Sequence, residues 1–131
     1  MKALQLIPEL LVENMPKTIQ FYEDVLGFKT EIAFPEKKPV FVQMVRDNVR
    51  IMLYVRSEFE NEIPLLKGMN MGGSVLLYIK VDKLEPFYQK IKETVTIVQT
   101  LHKTSYGMLE CTIEDCNGYL IAFSERISDT K

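Results

Sequence analysis

The chain has 131 residues, 47% of them hydrophobic and 26% charged, with 16 Lys and Arg against 18 Asp and Glu. That length suits one compact fold and excludes two independent ones, and the composition lies far from the low-hydrophobicity, high-charge regime of disorder. A net charge of -2 leaves no excess of positive charge to neutralise a phosphate backbone or an anionic membrane, so neither nucleic acid nor membrane is an expected partner.

Met1–Ile7 is mildly apolar, but Pro8 and Glu9 interrupt it before it reaches the length of a secretory apolar core. No stretch nears the ~18 apolar residues of a membrane span, and a reduced, cytoplasmic protein is the expectation. Ala3–Val12 reads as a strand. Asn14 caps a helix with Pro16 in its first turn, and apolar Met15, Ile19, Tyr22, Val25 and Leu26 recur along it until Gly27 ends it. Phe28–Phe34 reads as a second strand. Pro39–Arg46 and Val49–Tyr54 then form a hairpin about Asp47-Asn48, residue types that tolerate left-handed backbone angles.

Ile63–Gly73, punctuated by Pro64, Gly68, Gly72 and Gly73, reads as a connection. The order then repeats. Ser74–Val81 is a strand, and Leu84, Phe87, Tyr88 and Ile91 share one face of a helix. Ile97–His102, Gly107–Glu114 and Tyr119–Arg126 are strands, the last pair joined by a turn at Asp115-Cys116-Asn117-Gly118. Val12-Glu13 and Val81-Asp82 occupy equivalent strand-to-helix junctions. The expectation is a single α+β domain, 1–131, built from two β-α-β-β-β halves of about 1–66 and 67–131. Cys111 and Cys116 are too few for a disulfide framework and lack Cys-x-x-Cys spacing, so both are read as thiols.

Three segments carry a resemblance: Leu10-Leu11-Val12-Glu13-Asn14-Met15, Phe21-Tyr22-Glu23-Asp24-Val25-Leu26-Gly27-Phe28, and Asp115-Cys116-Asn117-Gly118-Tyr119-Leu120-Ile121-Ala122-Phe123. Together they resemble the vicinal oxygen chelate superfamily, which includes glyoxalase I, extradiol dioxygenases, fosfomycin resistance proteins and bleomycin resistance proteins. Cys116 stands where that family usually has Pro. The resemblance implies that each half forms a U-shaped mixed sheet and that the two together enclose a pocket. It also implies that the first and fourth strands of each half supply metal ligands in the family's enzymes. Those positions fall on Ile7, Met52, Leu76 and Ala122. Ile, Leu and Ala have no donor atom, and the Met thioether is soft, so no metal and no cofactor are expected.

Period-2 patterning separates the faces of the strands. Val40, Val42, Met44, Ile51 and Leu53 form an apolar set suited to the helix side, whereas Phe41, Gln43, Val45, Arg50, Met52 and Tyr54 mix aromatic, amide and guanidinium groups. Tyr119, Ile121 and Phe123 likewise separate from Leu120, Ala122 and Ser124. Parity adds Glu9 and Leu11, Tyr78 and Lys80, and Met108, Glu110 and Thr112 to the pocket side. The candidate ligand-binding residues are therefore Glu9, Phe41, Gln43, Arg50, Met52, Tyr54, Tyr78, Lys80, Met108 and Glu110. A plainer reading pairs Glu9 with Arg50 and Glu110 with Lys80 as ion pairs that recognise nothing. His102, the single histidine, reads as a surface residue and supports no triad.

The resemblance points to a metal-free, homodimeric protein of the bleomycin-resistance type that sequesters an antibiotic-like or aromatic small molecule. Two alternatives remain open at this stage. One is an enzyme, using a carboxylate base or unusual metal ligands such as Glu9, Glu110 and His102; the other is an interaction module whose pocket is filled by side chains.

Overall fold

The computed structural model describes residues 1–72 and 74–127. The chain divides into two compact units, Met1–Met69 and Asn70–Lys131. In the first, β1 (Glu9–Val12), α1 (Met15–Gln20), β2 (Lys29–Phe34), β3 (Phe41–Arg46), β4 (Val49–Val55) and α2 (Arg56–Glu62) follow in order. The second contains β5 (Leu76–Lys80), α3 (Leu84–Ile91), β6 (Thr96–Lys103), β7 (Met108–Glu114) and β8 (Leu120–Arg126). The sheets are open, four-stranded and mixed, ordered β1-β4-β3-β2 and β5-β8-β7-β6, with the β1–β4 and β5–β8 pairs parallel. This is the α+β arrangement of two β-α-β-β-β halves expected from the sequence.

Local chemistry explains the first helix and its end. The Asn14 side chain accepts from the Lys17 N–H at 3.0 Å, and the Thr18 hydroxyl donates back to the Asn14 carbonyl at 2.8 Å. Beyond Gln20 the helix widens into a π-helical turn, Phe21–Val25, which seats Tyr22 edge-on against Phe21 and Phe28 in the core. Gly27 then takes φ +74°, and a Cβ there would lie 3.0 Å from Nη1 of Arg46, which donates to the Leu26 carbonyl at 2.7 Å. Only glycine meets both conditions without strain.

α1 lies against β4, and α3 against β7 and β8. The helix side of the first sheet buries Val42, Met44, Ile51 and Leu53 of the set separated by alternation, with Leu10 and Val12 of β1 beside them, while Val40 of that set is half-buried. In the second unit Leu84, Tyr88 and Ile91 of α3 are buried, and the Phe87 ring meets Phe123 at 5.2 Å. Lys83, before α3, has φ +51° and caps nothing; Glu125 of β8 instead accepts from the Lys83 and Leu84 N–H groups at 2.9 and 3.0 Å.

Several expected boundaries move. The strand expected from Ala3 begins only at Glu9, because Pro8 has no N–H to give the ladder and contributes only its carbonyl, which accepts from the Met52 N–H at 2.9 Å. β5 is likewise limited to Leu76–Lys80 by the start of β8 at Leu120. The expected connection Ile63–Gly73 holds a short 3-10 turn, Pro64–Leu66, and its last residue, Gly73, lies outside the described residues. Before it comes a helix the sequence reading did not find. α2 has one large apolar residue, Phe59, and so no hydrophobic period; it is held by Arg56, which pairs with Glu60 at 2.8 Å and Glu13 at 3.3 Å and donates to the Met69 carbonyl at 2.6 Å.

Candidate functional site

The face of the first sheet opposite α1 carries the mixed set. Register places Glu9, Met52 and Gln43 in one row and Leu11, Tyr54 and Phe41 in the next. A bulge between Thr30 and Ile32 gives β2 an extra residue, Glu31, and turns its carboxylate onto this face. Arg50 grips it with Nε on Oε1 at 3.0 Å and Nη2 on Oε2 at 3.1 Å, and the Gln43 amide donates to the same Oε1 at 3.0 Å. The guanidinium and amide hydrogen bonds hold the Glu31 carboxyl below the ordinary glutamate value.

Beside this polar cluster lies an aromatic one. Phe41 and Tyr54 meet at 6.0 Å and Tyr54 and Phe59 at 4.7 Å between ring centroids, and the Tyr54 hydroxyl donates to Glu62 at 2.6 Å. That hydrogen bond raises the Tyr54 phenol. Glu9 is raised as well, first by burial and then by the nearby charge of Glu62. Arg50 is thus paired with Glu31, and no ion pair joins it to Glu9 among the described residues.

The second sheet gathers its polar groups around Glu110. Register aligns Lys80, Ser124, Glu110 and His102 across β5, β8, β7 and β6. Glu110 is 7% exposed, and its Oε2 accepts from the Tyr78 hydroxyl at 2.6 Å and the Ser124 hydroxyl at 2.9 Å, while Oε1 accepts from Tyr106 at 3.1 Å. Burial pushes this carboxyl up, but the hydroxyl donors, with His102 nearby, outweigh it and leave it below the ordinary value. Lys80 is exposed and forms no ion pair with Glu110 among the described residues. In the adjoining row Thr112 donates to Gln99 at 3.2 Å.

Each candidate has therefore a definite place. Phe41, Gln43, Arg50, Met52 and Tyr54 are half-buried, with Glu9 exposed at the start of β1; Tyr78 and Lys80 are exposed on β5, Met108 is half-buried and Glu110 buried. The expected Glu9–Arg50 and Glu110–Lys80 pairs are replaced by Glu31–Arg50 and by the hydroxyl cage. Ala122, Ser124 and Thr112 are buried, since β7 and β8 lie inside the sheet and neighbouring side chains close over them. His102 is half-buried, with Nδ1 2.7 Å from the Thr100 carbonyl. Cys111 and Cys116 are thiols, and burial pushes Cys111 up to about 11.

Sequence reasoning missed Glu31, Glu62 and Tyr106. Glu31 arrives through a bulge, Glu62 from the unrecognised α2, and Tyr106 from the β6–β7 loop, where strand parity has no force.

A separate cleft of about 340 Å³ is lined by Val12, Glu13, Val55, Arg56, Ser57, Glu60 and Gly68. Its guanidinium is already committed to Glu13, Glu60 and the Met69 carbonyl, so the cleft marks the seam along which α2 is fastened.

The positions corresponding to the superfamily's metal ligands do not fit a metal. Ile7 precedes β1, Leu76 is exposed, and Met52 and Ala122 stand level with Glu9 and Tyr78. Among the described residues, no three His, Cys, Asp or Glu side chains are grouped to hold an ion. Assembled zinc sites bind with on the order of 10 kcal/mol, drawn from deprotonated donors that hydrocarbon cannot replace.

Comparison with known proteins places these features. A family model described as Glyoxalase/Bleomycin resistance protein/Dioxygenase superfamily matches residues 5–123. No curated protein matches the chain. Among solved structures, a protein of unknown function from Agrobacterium tumefaciens str. C58 is 20% identical with a TM-score of 0.81, covering 97% of this chain and 98% of its own. A glyoxalase/bleomycin resistance protein/dioxygenase from Nocardioides is 12% identical with a TM-score of 0.76, over 100% and 89%. TnmS3, an antibiotic binding protein from Streptomyces sp. CB03234, is 17% identical with a TM-score of 0.69, over 96% and 99%. The structural likenesses establish the fold, and the family match over most of the sequence establishes that the chain belongs to the glyoxalase/bleomycin resistance protein/dioxygenase superfamily.

Proposed function

We propose that this protein binds an amphipathic, antibiotic-like or aromatic small molecule without a metal and acts by sequestering it. The observation that carries the reading is the face of the first sheet opposite α1, where the Phe41–Tyr54–Phe59 aromatic cluster, its last ring supplied by α2, lies beside the Gln43–Glu31–Arg50 polar cluster. Apolar surface with a few fixed polar groups is the composition of a small-molecule site. The hydrocarbon at positions 7, 76 and 122 supports binding over metal chemistry, and the likeness to an antibiotic binding protein agrees with it.

The proposed working unit is a homodimer, supported by apolar side chains left exposed, among them Leu4, Leu6, Val75 and Leu76. Sedimentation should give twice the 15.2 kDa chain mass. The binding test is calorimetric titration of aromatic antibiotics into protein stripped with EDTA. Saturable binding that survives EDTA and weakens at least tenfold in Tyr54→Ala is expected. Absence of saturable binding across such compounds would overturn the reading, as would stoichiometric retained metal accompanied by an activity lost in Glu110→Ala.

A further inference from the structure

We propose that the Glu110 cage of the second sheet binds an organic cation carrying N–H donors, an ammonium or guanidinium head, as one end of the small molecule of the preceding section, on which this inference rests. A carboxylate offers about four acceptor positions. Tyr78 and Ser124 occupy two on Oε2 and Tyr106 one on Oε1, so one position on Oε1 remains.

All of these donors are neutral. Among the described residues no Lys or Arg nitrogen lies within 4.0 Å of Glu110, although Lys80 shares its row. His102 stands opposite on β6 with Nδ1 turned to the Thr100 carbonyl. The charge is thus solvated by hydroxyls and largely uncompensated, whereas the first sheet's Glu31 is neutralised by a bidentate Arg50.

A buried charge held in this way attracts a counterion more strongly than one in water, because the lower local dielectric strengthens the pair and the hydroxyls already carry much of the desolvation cost. The approach is aromatic. Tyr78 and Tyr106 are 46% and 67% exposed, and a cation over their ring faces gains an electrostatic attraction that a neutral ligand stacked there lacks. Three strands and a loop converge on one carboxylate, which fixes where the donor must sit.

The experiment uses the full chain at neutral pH and two probes of nearly equal shape, benzamidine and its neutral analogue benzamide, followed by NMR. Benzamidine should shift the Glu110, Tyr78 and Tyr106 resonances to saturation, while benzamide should bind them at least tenfold more weakly. Glu110→Gln should weaken benzamidine at least tenfold, and Glu85→Gln, which removes a charge from the exposed side of α3, should not. Equal binding of the two probes, or undiminished benzamidine binding in Glu110→Gln, would overturn the proposal. The probe contrast in the unmodified chain decides the matter even if Glu110→Gln fails to fold. Failure of benzamidine, with a neutral aromatic compound still binding in EDTA, removes the cation site and leaves sequestration standing.

Discussion

Glu31 and Glu110 each keep a negative charge on a strand face, one through a guanidinium and an amide and the other through hydroxyls. Both carboxyls are held below the ordinary glutamate value, so the folded chain binds their protons less tightly than the unfolded chain. The stabilisation they provide is complete above the ordinary value and is lost as pH falls through the lowered ones. Glu9, raised by burial and by Glu62, works in the opposite sense: its contribution is greatest below the ordinary value and is lost as pH rises through the raised one. Urea unfolding of wild type and Glu110→Gln between pH 7 and about pH 3 should show a stability gap that closes toward the acid end. A gap that stays constant would mean that the hydroxyls do not favour the ionised form. Gln43, Arg50 and Tyr54 were legible from alternation alone, because a strand exposes every second residue whatever lies around it. Their partners were not, since Glu31 and Glu62 reach them through a bulge and a helix that parity does not describe.

At the level of elements, capping and turn chemistry fix several boundaries locally. Asn14 and Gly27 bracket the first helix, Asp47 takes φ +52° in the β3–β4 turn, and Asp115 Oδ1 accepts from the Asn117 and Tyr119 N–H groups at 2.8 and 2.9 Å to shape the turn before β8. The start of α3 is different. Two of its leading backbone donors, those of Lys83 and Leu84, are satisfied by Glu125, about forty residues further along the chain, and no local signal announces that cap. Glu125→Ala should cost about 0.5–2 kcal/mol, the range of a lost N-cap. Hydrogen exchange should show Lys83 and Leu84 amides losing protection first; unchanged exchange there would show that the carboxylate is dispensable. α2 escapes sequence reading for a related reason, because its stability comes from Arg56 and Tyr54 contacts and not from an apolar stripe.

For the whole molecule, two units repeat one strand order, and each builds its core on the helix side of its sheet. Leu53 of β4 and Ile113 of β7 both lie wholly inside their units' cores, each with 0% exposure. Leu53→Ala should lower stability by about 2–5 kcal/mol in urea unfolding, because the cavity it leaves is closed in by β-strand neighbours that relax little. A loss under about 1 kcal/mol would mean that the first unit's core repacks freely. The sequence by itself determined the order of the eight strands with α1 and α3 and the apolar faces, since period, turn residues and capping act over a few residues, and its three motif segments pointed to the superfamily by resemblance. Tertiary structure alone decided which charges meet. Hydrogen-bond partners across a sheet depend on register, bulges and loops, and those arise from packing the whole unit, which is why Arg50 found Glu31 and Glu110 found three hydroxyls.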